Sequence, residues 1–418
     1  MNLLQTEHYA VEQLLLRLLL VLAIIVAASR IFGKMARVVG QPKEMGEILA
    51  GIALGPSLFG RLAPSAYDAL FTSDVKRGLA ILSQIGLVFL MILIGAEFPF
   101  RRAQRAVPGA VGIAIAGIAT PFLLTIAAAP LFVRGIGIPD DRRLPFSLLL
   151  ATAVSITAIP MMGRILRATG LTQSRVGVTS ITAAAIDDVL GWILLGAVVG
   201  VHEAGADVSR IALALGGTLV LGAAAVVAGR VLERRLPEAR YTDGLPEADL
   251  ALVLIVAFCL CAATNALGIF SIFGGFIAGV AISFHRPLAT ALDERLHDVV
   301  AVFLLPIFFM SSGLKTDVYG QGGAGLGLLG LLIVIAFAGK LIPCTIAARA
   351  AGLPRNEALA TGLLMNTRGL MALVVINVGY DLQVFPKPVF FMLVTMAVVT
   401  TAVTTPGLRR LLPRVEPL

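Results

Sequence analysis

Apolar runs of about twenty residues recur along the chain, separated by short polar breaks, and a run of that length crosses a hydrocarbon core as a helix. Read between the charge clusters, they cover residues 13–31, 45–60, 78–98, 106–133, 145–166, 177–201, 209–231, 248–266, 268–284, 298–314, 324–348, 356–379 and 389–407. No stretch carries the strict alternation of a barrel strand, so the spans are expected to be helices. The pattern predicts an all-α polytopic membrane protein of about 13 transmembrane helices. An odd count places the two termini on opposite sides of the bilayer.

Two of these spans are interrupted. The fifth reads LLLATAVSITAIPMMGRIL, with Pro160 and Gly163 inside it, and the twelfth reads GLLMNTRGLMALVVINVG, with Asn366, Thr367, Arg368 and Gly369 in its middle. If the thirteen spans divide as six, one and six, residues 1–201 and 248–407 form inverted repeats joined by a linker helix at 209–231. The fifth and twelfth spans then correspond. Discontinuous helices in matching positions of two halves point to a substrate site near the midplane. The whole of 1–418 reads as a single membrane transporter unit, and the tail to Leu418 predicts no soluble regulatory domain.

Composition agrees with this reading, since 58% of residues are hydrophobic and only 14% charged, far below the roughly 25% charged residues of a soluble domain. A net charge of +8 would suggest nucleic acid in a soluble protein, but the basic residues here sit at span ends without interleaved aromatics. The clusters Arg30–Lys43, Arg101–Arg105, Arg164–Arg175, Arg230–Arg240, His285–Arg295, Arg349–Arg355 and the tail from Arg409 fall on one side, outnumbering those opposite. The positive-inside rule makes that side cytoplasmic, which puts the N-terminus outside the inner membrane and the C-terminus in the cytoplasm. Cys259, Cys261 and Cys344 lie inside apolar runs without metal-ligand spacing and read as small core residues. The apolar run from Leu14 to Ala28 follows an acidic stretch and is read as the first span, not a signal peptide.

Few ionisable groups remain at membrane depth: Arg17, Lys340, Arg368, Asp187 and Asp188, with Glu47 and Glu97 nearer span ends. Such groups mark ion paths or counter-charges more often than architecture. Asp187 and Asp188 stand mid-span in VTSITAAAIDDVLGWILL. Helical neighbours point about 100° apart, so one carboxylate is expected to face a watery cavity and the other a protein partner. Burial disfavours the charged form of a carboxyl group, so such a group can exchange protons near neutrality, and its hard oxygens can also ligate an alkali cation. Proton and cation then compete for one site, which is enough to couple opposing fluxes. Lys340 follows a long apolar run and calls for an acidic partner, unless it snorkels towards the cytoplasmic end. Arg368 could hold unwound backbone or a carboxylate. The hydroxyls of Thr152, Ser155 and Thr157 could coordinate a dehydrated cation, or satisfy carbonyls that Pro160 frees. Trp192 reads as packing.

The segments GEILAGIALGPSLFG from Gly46, SITAIPMMGRIL from Ser155, TAAAIDDVLGWILL from Thr182, FLLPIFFMSSGLKTD from Phe303 and LMNTRGLMALVVINVG from Leu364 resemble the monovalent cation/proton antiporters. Within them the nearest branch is that of the plant cation/proton exchangers and their bacterial relatives. The resemblance runs in order over nearly the whole chain. It implies a sodium/proton antiporter-like fold with a core and a dimerisation domain, two broken helices crossing beside the aspartates, a homodimer and elevator-like alternating access. By motif, Asp188 resembles the cation- and proton-binding carboxylate, Asp187 its neighbour and Lys340 the basic residue that pairs with it. Thr157 and Pro160 fall in one crossing and Arg368 in the other. A paired aspartate is associated in that family with electrogenic exchange. No cofactor is implied beyond the transported Na+ or K+ and H+.

Other functions fit less well. A sodium-coupled symporter of an organic solute wants a larger polar cavity than these few polar residues offer. An aspartyl intramembrane protease needs acids on two helices, whereas these are adjacent on one. His8, His202, His285 and His297 all lie away from mid-membrane, which argues against a histidine hydrolase. A titratable pair suits stoichiometric exchange better than a pore.

Overall fold

A computed structural model of the chain describes residues 3–97, 108–172, 174–204, 208–242, 244–267, 270–316 and 323–411. Every regular element among them is helical. In chain order these are α1 (Leu3–Val38), α2 (Lys43–Leu54), α3 (Phe59–Leu62), α4 (Pro64–Leu70), α5 (Ser73–Ala96) and α6 (Pro108–Ile136). There follow α7 (Arg143–Ser155), α8 (Ile159–Ala168), α9 (Arg175–Ala204), α10 (Val208–Arg235), α11 (Glu247–Ala266) and α12 (Ile272–Ser283). The last six are α13 (Arg286–Val299), α14 (Leu305–Leu314), α15 (Gly323–Ala350), α16 (Arg355–Met365), α17 (Leu370–Asp381) and α18 (Lys387–Leu411).

Helix occupies all thirteen apolar ranges of the sequence. Nine segments among the described residues are long and apolar enough to cross a bilayer, two of them the merged α13–α14 and α16–α17. The other four ranges hold α2, the interrupted pair α7 and α8, α10, and α12. Residue 98, the span starts at 106 and 268, and the cluster Arg101–Arg105 lie outside the described residues.

Three details differ from the sequence reading. The second span stops at Leu54 rather than 60, because Gly55 and Pro56 follow and proline disfavours helix in the residue before it. The stretch from His285 to Arg295, read as a loop, is the N-terminal half of a helix that continues from α13 into α14. A π-helical turn at Val300–Leu304 joins the two, and the wider turn accommodates Pro306, whose ring would collide with a carbonyl one turn back. Gly163, expected at an interruption, lies inside α8.

The chain folds as two compact units. One comprises Met1–Val39, Lys43–Phe98 and Ala212–Asp317; the other comprises Gly40–Pro42, Pro99–Ile211 and Val318–Leu418. Each therefore draws one long stretch from either half of the sequence. The core of the first unit gathers Val21 and Ile25 of α1, Ala50 of α2, Tyr67, Phe71, Leu79, Ile307 and Met310. Its helices meet at glycines, where backbones approach closely as in membrane bundles generally. A Cβ at Gly95 of α5 would stand 2.4 Å from the Phe276 carbonyl oxygen, and one at Gly279 of α12 would stand 2.2 Å from that of Ile92. The second unit packs Met162, Leu166, Ala183, Ala184, Cys344, Leu364 and Met365 into its core. Asp187, Asp188, Lys340 and Arg368 belong to this second unit, whereas Arg17, Glu47 and Glu97 belong to the first.

Gly279→Ala should therefore destabilise the protein by about 1–3 kcal/mol, because the backbone it would strike cannot rotate away. Gly112→Ala, where the new methyl meets nothing within 4 Å, is expected to leave stability unchanged or raise it slightly. Melting temperatures in one detergent check the contrast, and equal losses for both would contradict this account of the α5–α12 seam.

Candidate ion-binding site

Asp187 and Asp188 stand near the middle of α9, about 18 Å along the helix from Arg175 at 1.5 Å per residue. Asp187 and Gly191 are one turn apart and so share a face. That face meets the interruption between α7 and α8: a Cβ at Gly191 would lie 3.0 Å from Ile156 Cγ1, and Asp187 Oδ2 accepts a 2.6 Å hydrogen bond from Thr157 N–H. Helix stops at Ser155 because Ile156 turns to an extended conformation, and resumes at Ile159 with Pro160 in its first turn. Proline is tolerated there because first-turn N–H groups have no partner within the helix.

The second interruption runs from Asn366 to Gly369, between α16 and α17. The two interrupted segments pass against each other. Ala158 N–H donates to the Thr367 carbonyl oxygen at 3.0 Å, and the Thr157 hydroxyl donates to that of Met365 at 3.1 Å. Gly369 permits this approach, since a Cβ there would come within 2.5 Å of Met161 Cγ on α8.

Lys340 of α15 is fully buried. Its ammonium donates to Asp187 Oδ2 at 3.3 Å and to the Ser155 carbonyl oxygen. The lysine therefore does not snorkel. Its stem passes Gly117 of α6, where a Cβ would lie 3.5 Å from Lys340 Cε and 2.9 Å from Cys344 Sγ. The charges follow the helix dipoles, with an ammonium at the carbonyl end of α7 and a carboxylate at the amide end of α8.

Arg368, 1% exposed, holds backbone. Its Nη1 donates to the carbonyl oxygens of Ala153 and Ile156 and its Nη2 to that of Ala336, each at 3.2 Å. Its own N–H and carbonyl oxygen both bind the hydroxyl of Thr401 on α18, at 2.8 and 2.7 Å.

The adjacent aspartates thus differ. Asp187 Oδ2 has two donors, whereas Oδ1 of Asp187 and Oδ1 of Asp188 are buried with no partner among the described residues. Asn366 directs its amide N–H to the Gly362 carbonyl oxygen at 3.1 Å, which leaves its buried Oδ1 likewise unpartnered.

Of the remaining candidates, the hydroxyls of Thr152, Ser155 and Thr367 donate to carbonyls of their own helix turns, those of Leu148, Thr152 and Leu364. Ser155 also meets Lys340 through its own carbonyl oxygen. Glu47 accepts a 3.0 Å bond from Ser29 in the first unit, to which Arg17 also belongs. Thr401 and Gly117 were missed. The repeat of hydroxyls at helical spacing in VVTTAVTTPG is the signal that marks Thr401; nothing in sequence marks Gly117.

Fold and site together define an all-helical membrane protein organised around two interrupted helices and buried charges, which is the layout of a secondary transporter. Residues 19–414 match the family described as "Sodium/hydrogen exchanger, transmembrane". The chain belongs to the sodium/hydrogen exchanger family, whose members are transporters and not enzymes. It is 35% identical to the Na(+)/H(+) antiporter NhaS4 of Synechocystis over 95% of this chain and 98% of that one. It is 36% identical to cation/H(+) antiporter 18 of Arabidopsis thaliana, covering 93% of this chain but 48% of that protein; the chain spans about half the length of such plant relatives. The backbone is similar to the sodium proton antiporter MjNhaP1 of Methanocaldococcus jannaschii, with a TM-score of 0.64 at 15% identity over 96% of this chain and 99% of that one.

Removing one member of the Asp187–Lys340 pair leaves a buried charge uncompensated, so Asp187→Asn and Lys340→Gln should each lose about 3–5 kcal/mol of stability while the double variant loses less. Thermal unfolding of the three variants measures that coupling. Strictly additive losses would mean that the pair contributes nothing as a pair.

Proposed function

We propose that this chain exchanges a monovalent cation, Na+ or K+, for protons at Asp188, with Asp187 joining the site when Lys340 moves away from it. The observation that carries this is the unequal hydrogen bonding of the two aspartates. With Asp187 ionised and Lys340 and Arg368 both cationic, the buried cluster carries one net positive charge when Asp188 is protonated and none when it is not. A bound monovalent cation restores the charge that the proton supplied. The two are therefore electrostatically interchangeable, whereas a divalent ion would leave an excess charge where burial makes it costly. The names of the relatives agree with this reading, among them the Na(+)/H(+)-K(+) antiporter GerN of Bacillus cereus, 27% identical over 93% of this chain and 94% of that one.

The same proposal includes thirteen crossings, inverted repeats at 1–201 and 248–407, an external N-terminus and cytoplasmic C-terminus in the inner membrane, a homodimer and alternating access of the elevator type. Support comes from the matched interruptions, one in either half of the chain, and from the bias of the basic clusters. Exchange is electrogenic in this account, with more than one proton moving per cation: beyond the proton exchanged at Asp188, the Asp187–Lys340 pair offers a further titratable group.

Asp188→Asn should abolish cation-driven proton movement in proteoliposomes while the protein remains folded, since an amide cannot exchange a proton near neutrality. Asp188→Glu should retain part of the activity with a displaced pH optimum. Normal exchange by a well-folded asparagine variant would sink the mechanism. An imposed membrane potential should also change the rate or the final gradient; indifference to potential would establish one-for-one exchange.

A further inference from the structure

The two interruptions have their backbone groups satisfied in different ways. At the first, charged side chains do it: Lys340 and Arg368 take the carbonyls of Ser155, Ala153 and Ile156, while Asp187 takes the N–H of Thr157. At the second, a single neutral hydroxyl meets both backbone groups of Arg368. Thr401 is fully buried on α18, and its Oγ1 accepts from Arg368 N–H at 2.8 Å and donates to the Arg368 carbonyl oxygen at 2.7 Å.

The neighbouring turns of α18 reinforce the contact. Thr404, three residues on and therefore on the same face, directs its hydroxyl to the Leu363 carbonyl oxygen in the last turn of α16 at 3.3 Å, shared with that of Thr400 at 3.2 Å. Gly407, three residues further, leaves room for the Leu363 side chain, since a Cβ there would stand 2.9 Å from Leu363 Cδ1. One stripe of α18 thus follows the end of α16 up to the interruption.

We propose that Thr401 is a positioning residue of the transport site, fixing the backbone of Arg368 and, through its guanidinium, the carbonyl end of α7 beside the amide that holds Asp187. The chain of contacts is unbroken, from the Thr401 hydroxyl to Arg368, to Ala153 and Ile156, and from the adjoining Thr157 to Asp187. A hydroxyl of this size both accepts and donates strongly at one point. Valine has nearly the same shape and does neither, whereas serine keeps both functions. This inference rests on the exchange reading and names a residue that the reading does not require.

The test is proton flux driven by NaCl and by KCl across proteoliposomes at several pH values, normalised to folded protein. Thr401→Ser should behave as the parent chain does. Thr401→Val should raise the cation concentration for half-maximal exchange about tenfold, the scale of one lost buried hydrogen bond, and displace the pH profile. Should the valine variant fail to fold, Thr401→Cys, whose thiol is a weak donor and acceptor, should show the same displacement in smaller measure. Thr400→Val, which removes bonds only to the carbonyls of Met396 and Ala397 within α18, should leave half-saturation and pH profile unmoved. A role in folding alone would lower the melting temperature of the Thr401 variants without moving either quantity, and that result overturns the proposal. Exchange that is absent in the parent chain, or that survives Asp188→Asn, would overturn the transport reading itself. Exchange that depends on Asp188 but is indifferent to Thr401→Val would overturn this inference alone.

Discussion

Backbone that leaves the helix inside a bilayer must find hydrogen-bond partners in the protein, because the hydrocarbon offers none and each unmet group costs several kcal/mol. The chain interrupts two helices at this depth, and the rest of the second unit is arranged around that cost. The interruptions meet part of it by facing each other, through Ala158 to Thr367 and Thr157 to Met365. The remainder falls to Asp187, Lys340, Arg368 and Thr401, each from a different helix or interruption. Their burial, costly for isolated charges, is thereby compensated.

The same constraint separates the two aspartates. Once Asp187 is committed to the Thr157 amide and the Lys340 ammonium, one turn of α9 has a fixed partner and its neighbour, rotated by about 100°, does not share it. Two adjacent acids of identical chemistry acquire different hydrogen-bond partners from geometry alone. Gly191 and Gly117 make the separation sterically feasible, the first by letting α9 meet Ile156 and the second by giving room to the lysine stem.

Much of this was legible in the sequence, and the boundary of what was legible has physical causes. Helical spans, deep charges and both interrupted regions follow from hydropathy and from the high cost of ions in lipid, which are local properties of the chain. The end of α2 at Leu54 follows from the Gly55–Pro56 pair that the longer span of 45–60 ignored. The helix from Arg286 was hidden because its polar composition mimics a loop, although proline in its first turn and the His285 side chain, which accepts from Leu288 N–H, mark its start. Arg368 remained open between backbone and carboxylate until its carbonyl partners were placed, since all three lie far away in sequence or on another helix. Ser155 was legible only by its hydroxyl, because the role of its carbonyl as an acceptor for Lys340 depends on a helix distant in sequence.

The two buried cations are not equivalent, and the difference bears on what can move. Arg368 distributes a planar, permanently charged guanidinium over three carbonyls on two elements, while its own backbone is fastened to α18. Releasing it would expose several acceptors at once. Lys340 is a compact ammonium on a flexible stem with one carboxylate oxygen and one carbonyl to leave behind, and lysine, unlike arginine, can lose its proton when buried. An arginine at 340 would need more room than the close passage by Gly117 allows, and would resist separation from Asp187. A lysine at 368 could not span Ala153, Ile156 and Ala336 together. The chain therefore places the charge with more bonds to break where an interrupted helix needs a permanent partner, and the charge with fewer beside the carboxylate that the proposed exchange brings into the cation site.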